Sequence, residues 1–248
     1  MRLTVLGACG AWPAAGDACS GFLVEYEGCR LVLDLGYAAL PRLLQYVRAE
    51  QVDAVVVTHG HPDHCADLNP LLRARAMADV PPPPLPLYAT PGSLDAVLAL
   101  DRPGMLDDAY DLREFEPGAA FTVGPFRVAT QLLPHTRPNA GLRVTAGGRA
   151  LAYTGDTAPT PAIAELARGV DLFVAEATYP YEVPADLAAE LSSARQAGAD
   201  AARAGVGRLL LTHLWPGTDP AAAIAAAREA YTGEVAVAVS GLAVELGA

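Results

Sequence analysis

The segment Thr58-His59-Gly60-His61-Pro62-Asp63-His64 constrains this chain more than any other stretch. It packs three imidazoles and a carboxylate into six residues, directly behind the apolar run Asp53–Thr58. Crowding such groups together without a partner would be costly on burial. Imidazole and carboxylate are also the ligands that borderline and hard divalent ions take at neutral pH. Gly60 and Pro62 break a helix here, so this is not a helical H-E-x-x-H site. The other two of the five histidines stand far along the chain, in Leu133-Pro134-His135-Thr136 and Leu211-Thr212-His213-Leu214. Asp156, in Tyr153-Thr154-Gly155-Asp156-Thr157, adds a carboxylate between them. His213 taken alone would read as a packed histidine; with the cluster, it reads as a ligand.

What unites these groups is their position. His59 follows the expected strand Asp53–Thr58, His135 follows Phe126–Leu133, Asp156 follows Arg149–Thr154, and His213 follows Arg208–Thr212. Strands that end at one edge of a sheet bring distant segments together, and the loops there carry chemistry. Apolar runs separated by turn residues predict further strands at Leu3–Leu6, Ser20–Tyr26, Arg30–Leu35, Leu85–Ala89, Ala120–Thr122, Gly141–Ala146, Leu172–Ala175 and Val235–Val239. Helical spacing predicts helices at Ala38–Arg48, Pro70–Ala78, Gly92–Leu100, Ile163–Ala167, Ser192–Ala204 and Ala221–Tyr231. A strand-rich block followed by β–α alternation occurs twice. That points to a pseudo-duplicated α/β sandwich forming a single domain over residues 1–248. No G-x-G-x-x-G joins a strand to a helix, so dinucleotide binding has little support.

Composition narrows the partners. Hydrophobic residues make up 52% of the 248 positions and charged residues 18%, enough for a substantial core. The net charge is −11, and Lys and Arg are scattered rather than gathered into a stripe. That weighs against a large nucleic-acid substrate and leaves a small anionic one open, because two cations reverse the local field. The amino terminus enters a strand at once, without the pattern of a secretory signal, and no uncharged apolar stretch of about 18 residues exists. Cys9, Cys19, Cys29 and Cys65 form no C-x-x-C pair and read as reduced thiols. A cytoplasmic protein without membrane association is expected, its assembly left open between monomer and homodimer.

The H-x-H-x-D-H motif, with His135, Asp156 and His213 following in order, resembles the metallo-β-lactamase-fold hydrolases over essentially the whole chain. Leu6–Pro13, His135–Gly141, Tyr153–Thr157 and Glu176-Ala177-Thr178 resemble the branch of ribonuclease Z and related phosphodiesterases, among them atypical class II-like cyclic nucleotide phosphodiesterases of actinobacteria. The resemblance implies an αββα sandwich of two mixed sheets flanked by helices. It implies one ion on His59, His61 and His135, a second on Asp63, His64 and His213, and Asp156 bridging both. A hydroxide between the ions would be the nucleophile, with Asp63 and Asp156 in the catalytic machinery. Zinc suits so many imidazoles best, with manganese or iron as alternatives.

One departure from the branch matters. Ribonuclease Z carries a further histidine before the helix matching Ser192–Ala204, paired with the glutamate matching Glu176. Here that stretch reads Ala189-Glu190-Leu191-Ser192-Ser193. Protonation of the leaving oxygen then falls to another group, with Glu190 or a metal-bound water the candidates. The missing histidine and the lack of a basic insertion move the expectation from tRNA processing to small phosphodiesters. The alternative is a lactone, thioester or other carboxyl derivative, since the same metal centre serves both chemistries. A non-catalytic binding protein that kept the fold is disfavoured by the complete ligand set.

The remaining candidates carry less. Asp34 is expected to hydrogen-bond the metal-binding loop. Arg137 and Asn139 stand evenly between contacting an anionic substrate and facing solvent. Trp12, Pro13 and Asp17 stand evenly between bordering the pocket and forming a turn. Tyr179 and Tyr181 are expected to pack rather than to stack on a base. Cys65, beside His64, is expected to be a small buried side chain.

Overall fold

The computed structural model describes residues 1–247; residue 248, the last of the expected domain, lies outside them. Two seven-stranded mixed sheets face each other. The first holds β1 (Arg2–Gly7), β2 (Gly21–Tyr26), β3 (Cys29–Leu35), β4 (Ala54–Val56), β5 (Leu85–Ala89), β6 (Tyr110–Glu114) and β14 (Ala243–Glu245), in the order β14-β1-β2-β3-β4-β5-β6. The second holds β7 (Ala120–Val123), β8 (Phe126–Leu133), β9 (Asn139–Ala146), β10 (Arg149–Tyr153), β11 (Leu172–Glu176), β12 (Arg208–Thr212) and β13 (Glu234–Val237), in the order β13-β12-β11-β10-β9-β8-β7. In each sheet antiparallel pairings give way to parallel ones, at β3 in the first and β10 in the second. The expected duplication is present, and the architecture is the αββα sandwich.

The central strands are largely apolar because both faces of each sheet are covered, with charged residues such as Asp34 and Glu176 at the strand ends near the site. Successive side chains point to opposite faces of a strand. Phe22, Val24, Leu31, Leu33 and Val56 therefore meet Phe126, Leu142, Val144, Tyr153 and Leu210 in a core between the sheets. The alternate residues Leu23, Val32, Val55 and Val57 face outward. They are covered by α1 (Ala39–Leu43), the short α2 (Pro62–Cys65), α3 (Leu68–Ala76) and α4 (Asp95–Leu98). On the far side, Phe173, Leu209 and Leu211 pack under α5 (Pro161–Leu166), α6 (Ala194–Ala204) and α7 (Pro220–Ala227).

Several boundaries differ from expectation. The helix expected over Ala38–Arg48 ends at Leu43, and Arg48 turns extended, with its N–H bound to the Gln51 side chain. The one expected from Gly92 begins at Asp95, because Gly92 adopts φ 72° and gives its N–H to Glu114. The one expected to reach Tyr231 stops at Ala227. Pro62 starts a helix rather than breaking one: it is the first residue of α2, where its missing N–H is no loss. Strands β6 and β14 have no counterpart among the expected elements. Among the described residues, no helix is long and apolar enough to cross a membrane.

Candidate metal centre

The loops that follow β4, β8, β10 and β12 deliver the candidate ligands to one edge of the sandwich. His59 and His61 lie in the loop after β4, and Asp63 and His64 sit in α2. His135 follows β8, Asp156 follows β10, and His213 follows β12. Two glycines allow the loops to come this close. A Cβ on Gly36 would stand 1.8 Å from the Asp63 carbonyl oxygen, and one on Gly10 would stand 2.7 Å from His213 Nδ1.

The side chains form two groups that could each hold a metal ion. One is His59, His61, His135 and Asp156; the other is Asp63, His64, His213 and Asp156, with the ligand atoms of each group within 4.8 Å of one another. Asp156 belongs to both. Its Oδ2 lies 3.2 Å from His213 Nε2 and 3.8 Å from His59 Nε2, and its Oδ1 lies 3.2 Å from His64 Nε2. Asp63 Oδ2 lies 3.3 Å from His213 Nε2 and accepts the Ala11 N–H at 2.9 Å.

The donor set fits cations. His135 Nδ1 donates to the Glu190 carbonyl oxygen at 2.9 Å, so in the neutral ring Nε2 carries a lone pair. That Nε2 stands 3.1 Å from His61 Nδ1, which in turn stands 3.1 Å from His59 Nε2. Three imidazole nitrogens thus converge at a spacing that a shared ion explains. In the second group, His64 Nε2 and Asp156 Oδ1 are close but misaligned for a hydrogen bond, and both are buried without any other partner. Such orphans are rare in native interiors, and an ion there would satisfy both.

A further layer of contacts fixes the rings. His64 Nδ1 donates to Asp34 Oδ2 at 2.7 Å. Asp34 also accepts the Thr58 N–H at 2.8 Å and the Tyr153 hydroxyl at 2.8 Å. The Thr58 hydroxyl lies 2.9 Å from the same carboxylate and 3.1 Å from His59 Nδ1. The expected role of Asp34 therefore matches its contacts. Asp34 and His213 adopt φ 54° and 63°, a left-handed conformation that non-glycine residues hold only when their surroundings over-determine it.

Burial, then the neighbouring charge of His64, holds His59 well below the usual imidazole range; burial and His135 lower His61. Burial opposes charge on His64 too, but Asp156 and Asp34 overcome it and raise that imidazole well above the range. Burial likewise opposes charge on His213, and Asp156 and Asp63 raise it nonetheless. Burial and the Asp156 charge push the Glu176 carboxyl up to about 8.

The other expected residues fall as follows. Glu190 meets the cluster through its backbone carbonyl, and its carboxylate makes no ion pair or hydrogen bond among the described residues. Arg137 is exposed. Asn139 is fully buried and donates from Nδ2 to the Thr154 carbonyl, which removes it from substrate contact and from solvent alike. Pro13 is exposed, and Asp17 accepts from Ser240 and from the Ala18 N–H within a turn. Trp12 packs on Trp215 at 5.7 Å between ring centroids, and Tyr179 packs on Trp215 at 5.1 Å. Tyr181 lies under the Arg195 guanidinium. Cys65 is buried, and burial pushes its thiol up to about 12. Contacts from Thr58, Tyr153, Thr178 and the Ala11 N–H were not foreseen, although all four residues stand within the site motifs.

Comparison with known proteins gives the family. Residues 31–214 match the model described as the β-lactamase superfamily domain. A probable metallo-hydrolase of Bacillus subtilis, YhfI, is 32% identical over 218 residues, covering 86% of this chain and 87% of its own. Its crystal structure superposes with a TM-score of 0.90 at 31% identity, over 98% of this chain and 99% of that one. A ribonuclease Z of Mycolicibacterium gilvum is 30% identical over 251 residues, covering 89% of this chain and 86% of its own. The chain belongs to the β-lactamase superfamily and is a metallo-hydrolase of metallo-β-lactamase fold.

Proposed function

We propose that this hydrolase is a phosphodiesterase of small phosphodiesters, with cyclic nucleotides the first substrates to try. The reading rests on the pair of ligand groups sharing Asp156, a layout suited to clamping one phosphoryl group from two sides. The similarity to a ribonuclease Z, a nuclease by name, supports phosphodiester over carboxyl chemistry. Arg137, exposed and two residues beyond His135, is the proposed contact for an anionic group.

In this reading His59, His61 and His135 hold one divalent ion, Asp63, His64 and His213 hold the other, and Asp156 joins them. Zinc is the proposed metal, given the five imidazoles. Bound ions supply a polarising charge for the phosphoryl oxygen and lower the pKa of water to about 7. The chain's own part is to fix that charge at one edge of two rigid sheets. Glu190 is the proposed donor of a proton to the leaving oxygen, its main chain anchored on His135. The net charge of −11 argues for a small substrate, since a folded RNA is gripped through many Lys and Arg contacts.

The test is a panel assay of metal-reconstituted protein against 2′,3′- and 3′,5′-cyclic nucleotides, bis(p-nitrophenyl) phosphate, a lactone, a thioester and a precursor tRNA. Turnover of the small phosphodiesters alone is expected. Activity confined to the lactone or thioester would overturn the phosphodiester reading, and efficient site-specific 3′ cleavage of the tRNA would overturn the substrate size.

A further inference from the structure

Glu176 closes β11, is 1% exposed, and belongs to neither ligand group. Three donors address its carboxyl group. The Thr178 hydroxyl reaches Oε1 at 2.8 Å, the Ser192 N–H reaches the same oxygen at 3.0 Å, and the Thr157 N–H reaches Oε2 at 2.5 Å. The same Thr178 hydroxyl lies 2.9 Å from His213 Nδ1. We infer that Glu176 is a positioning residue for His213, acting through the Thr178 hydroxyl, and that this relay sets how tightly the buried group Asp63, His64, Asp156 and His213 holds its ion.

With Glu176 ionised, the direction of each bond follows. Backbone N–H groups only donate, so the ionised carboxylate is the form that suits Glu176's three partners. A cation against Asp156 offsets the charge that otherwise opposes this form. Thr178 has one hydroxyl hydrogen. With that hydrogen given to Glu176, its oxygen accepts from His213 Nδ1–H. The imidazole is then held as the tautomer with a bare Nε2, the atom that stands 3.2 Å from Asp156 Oδ2 and 3.3 Å from Asp63 Oδ2. Reversing the Thr178 hydroxyl would put a hydrogen on Nε2 and close the site to an ion. Gly10 packs directly against the ring and narrows its choice of pose.

The local sequence agrees. The stretch before α6 has no histidine to pair with Glu176. Ser192 gives its N–H to Glu176 instead, and its hydroxyl to the Thr157 carbonyl at 2.6 Å. A carboxylate sealed in this way orients a neighbour rather than exchanging protons with substrate.

Because this relay presupposes an ion in the buried group but not phosphodiester chemistry, metal titration tests it. Metal-stripped wild type, Thr178→Val, Thr178→Ser and Glu176→Gln are titrated with Co²⁺, following the visible absorption, and with Zn²⁺ against a competing chelator. Thr178→Val removes the hydroxyl at nearly constant volume, and Thr178→Ser keeps it. Thr178→Val and Glu176→Gln are expected to weaken one of the two equivalents by about 10–100-fold, the usual effect of losing an outer hydrogen-bond partner, while the other binds as in wild type. Thr178→Ser is expected to retain wild-type binding and the wild-type Co²⁺ spectrum. Wild-type affinity for both equivalents in Thr178→Val would overturn the relay. So would an equal loss in Thr178→Ser, which would assign the effect to the methyl group. A wild type that takes up only one ion would overturn the two-ion reading itself, whatever the variants do.

Discussion

The two ligand groups share Asp156 but are built differently. His61 and His135 in the first are only partly buried, while all four members of the second are buried. The rings of the first are held by neutral partners: the Thr58 hydroxyl, the Glu190 carbonyl and, more loosely, the Thr136 hydroxyl at 3.4 Å from His61. Those of the second lean on carboxylates, His64 directly on Asp34 and His213 through Thr178 on Glu176. The electrostatics follow. His59 and His61 are kept neutral, whereas His64 and His213 are pushed towards the charged form. In the open group His59 and His61 are held in the neutral form that a cation binds. In the closed group a cation competes with protons on His64 and His213.

The most damaging test removes what the groups share. Asp156→Ala is expected to cost more turnover than Glu190→Ala and to lower occupancy of both ions, as metal analysis and kcat would register. Comparable losses in the two variants would mean that Glu190 has been undervalued. Next comes Asp34→Asn. Asp34 supports His64 of the closed group and, through Thr58, His59 of the open one, so affinity for both ions should fall, each by about 10–100-fold. A loss confined to one ion would show that the Thr58 link carries nothing. Glu190→Ala sharpens the comparison from the open side. Its backbone carbonyl remains to hold His135, so both ions should be retained while turnover falls. Loss of an ion would reassign the side chain from proton donor to scaffold.

The mildest test is pH on the metal-free protein. His64 and His213 have raised folded-state pKa values, so their contribution to stability is fully present below about 6.5, the unfolded value. It is lost as pH rises through the folded values. Metal-free protein should therefore melt at progressively lower temperature as pH is raised above neutrality, and metal should remove that dependence. A metal-free melting temperature unchanged across that range would show that the closed group holds no excess protons.

The seven residues gathered into the two groups were legible in the sequence, because their chemistry lies in short spacings and each falls just past an apolar strand. The layers were legible too, since burial on both faces leaves uninterrupted apolar runs. What escaped depends on remote partners. Strand β6, Tyr-Asp-Leu-Arg-Glu, is a largely exposed edge that owes its form to pairing with β5. Strand β14 is three residues that pair with β1 at the other end of the chain. The outer contacts were hidden for the same reason: Tyr153 reaches Asp34 across 119 residues, and Thr178 reaches His213 across 35. Asn139 misled because it stands beside a ligand motif, yet it turns inward to brace the loop before Asp156.

Whether one carboxylate joins two cation sites of unequal burial is decided by a crystal structure of zinc-reconstituted protein, with anomalous scattering recorded above and below the zinc edge. Two zinc peaks per chain are expected, one among His59, His61 and His135 and one among Asp63, His64 and His213, with Asp156 between them. A single peak at full loading, leaving Asp63 and His213 uncoordinated, would contradict it.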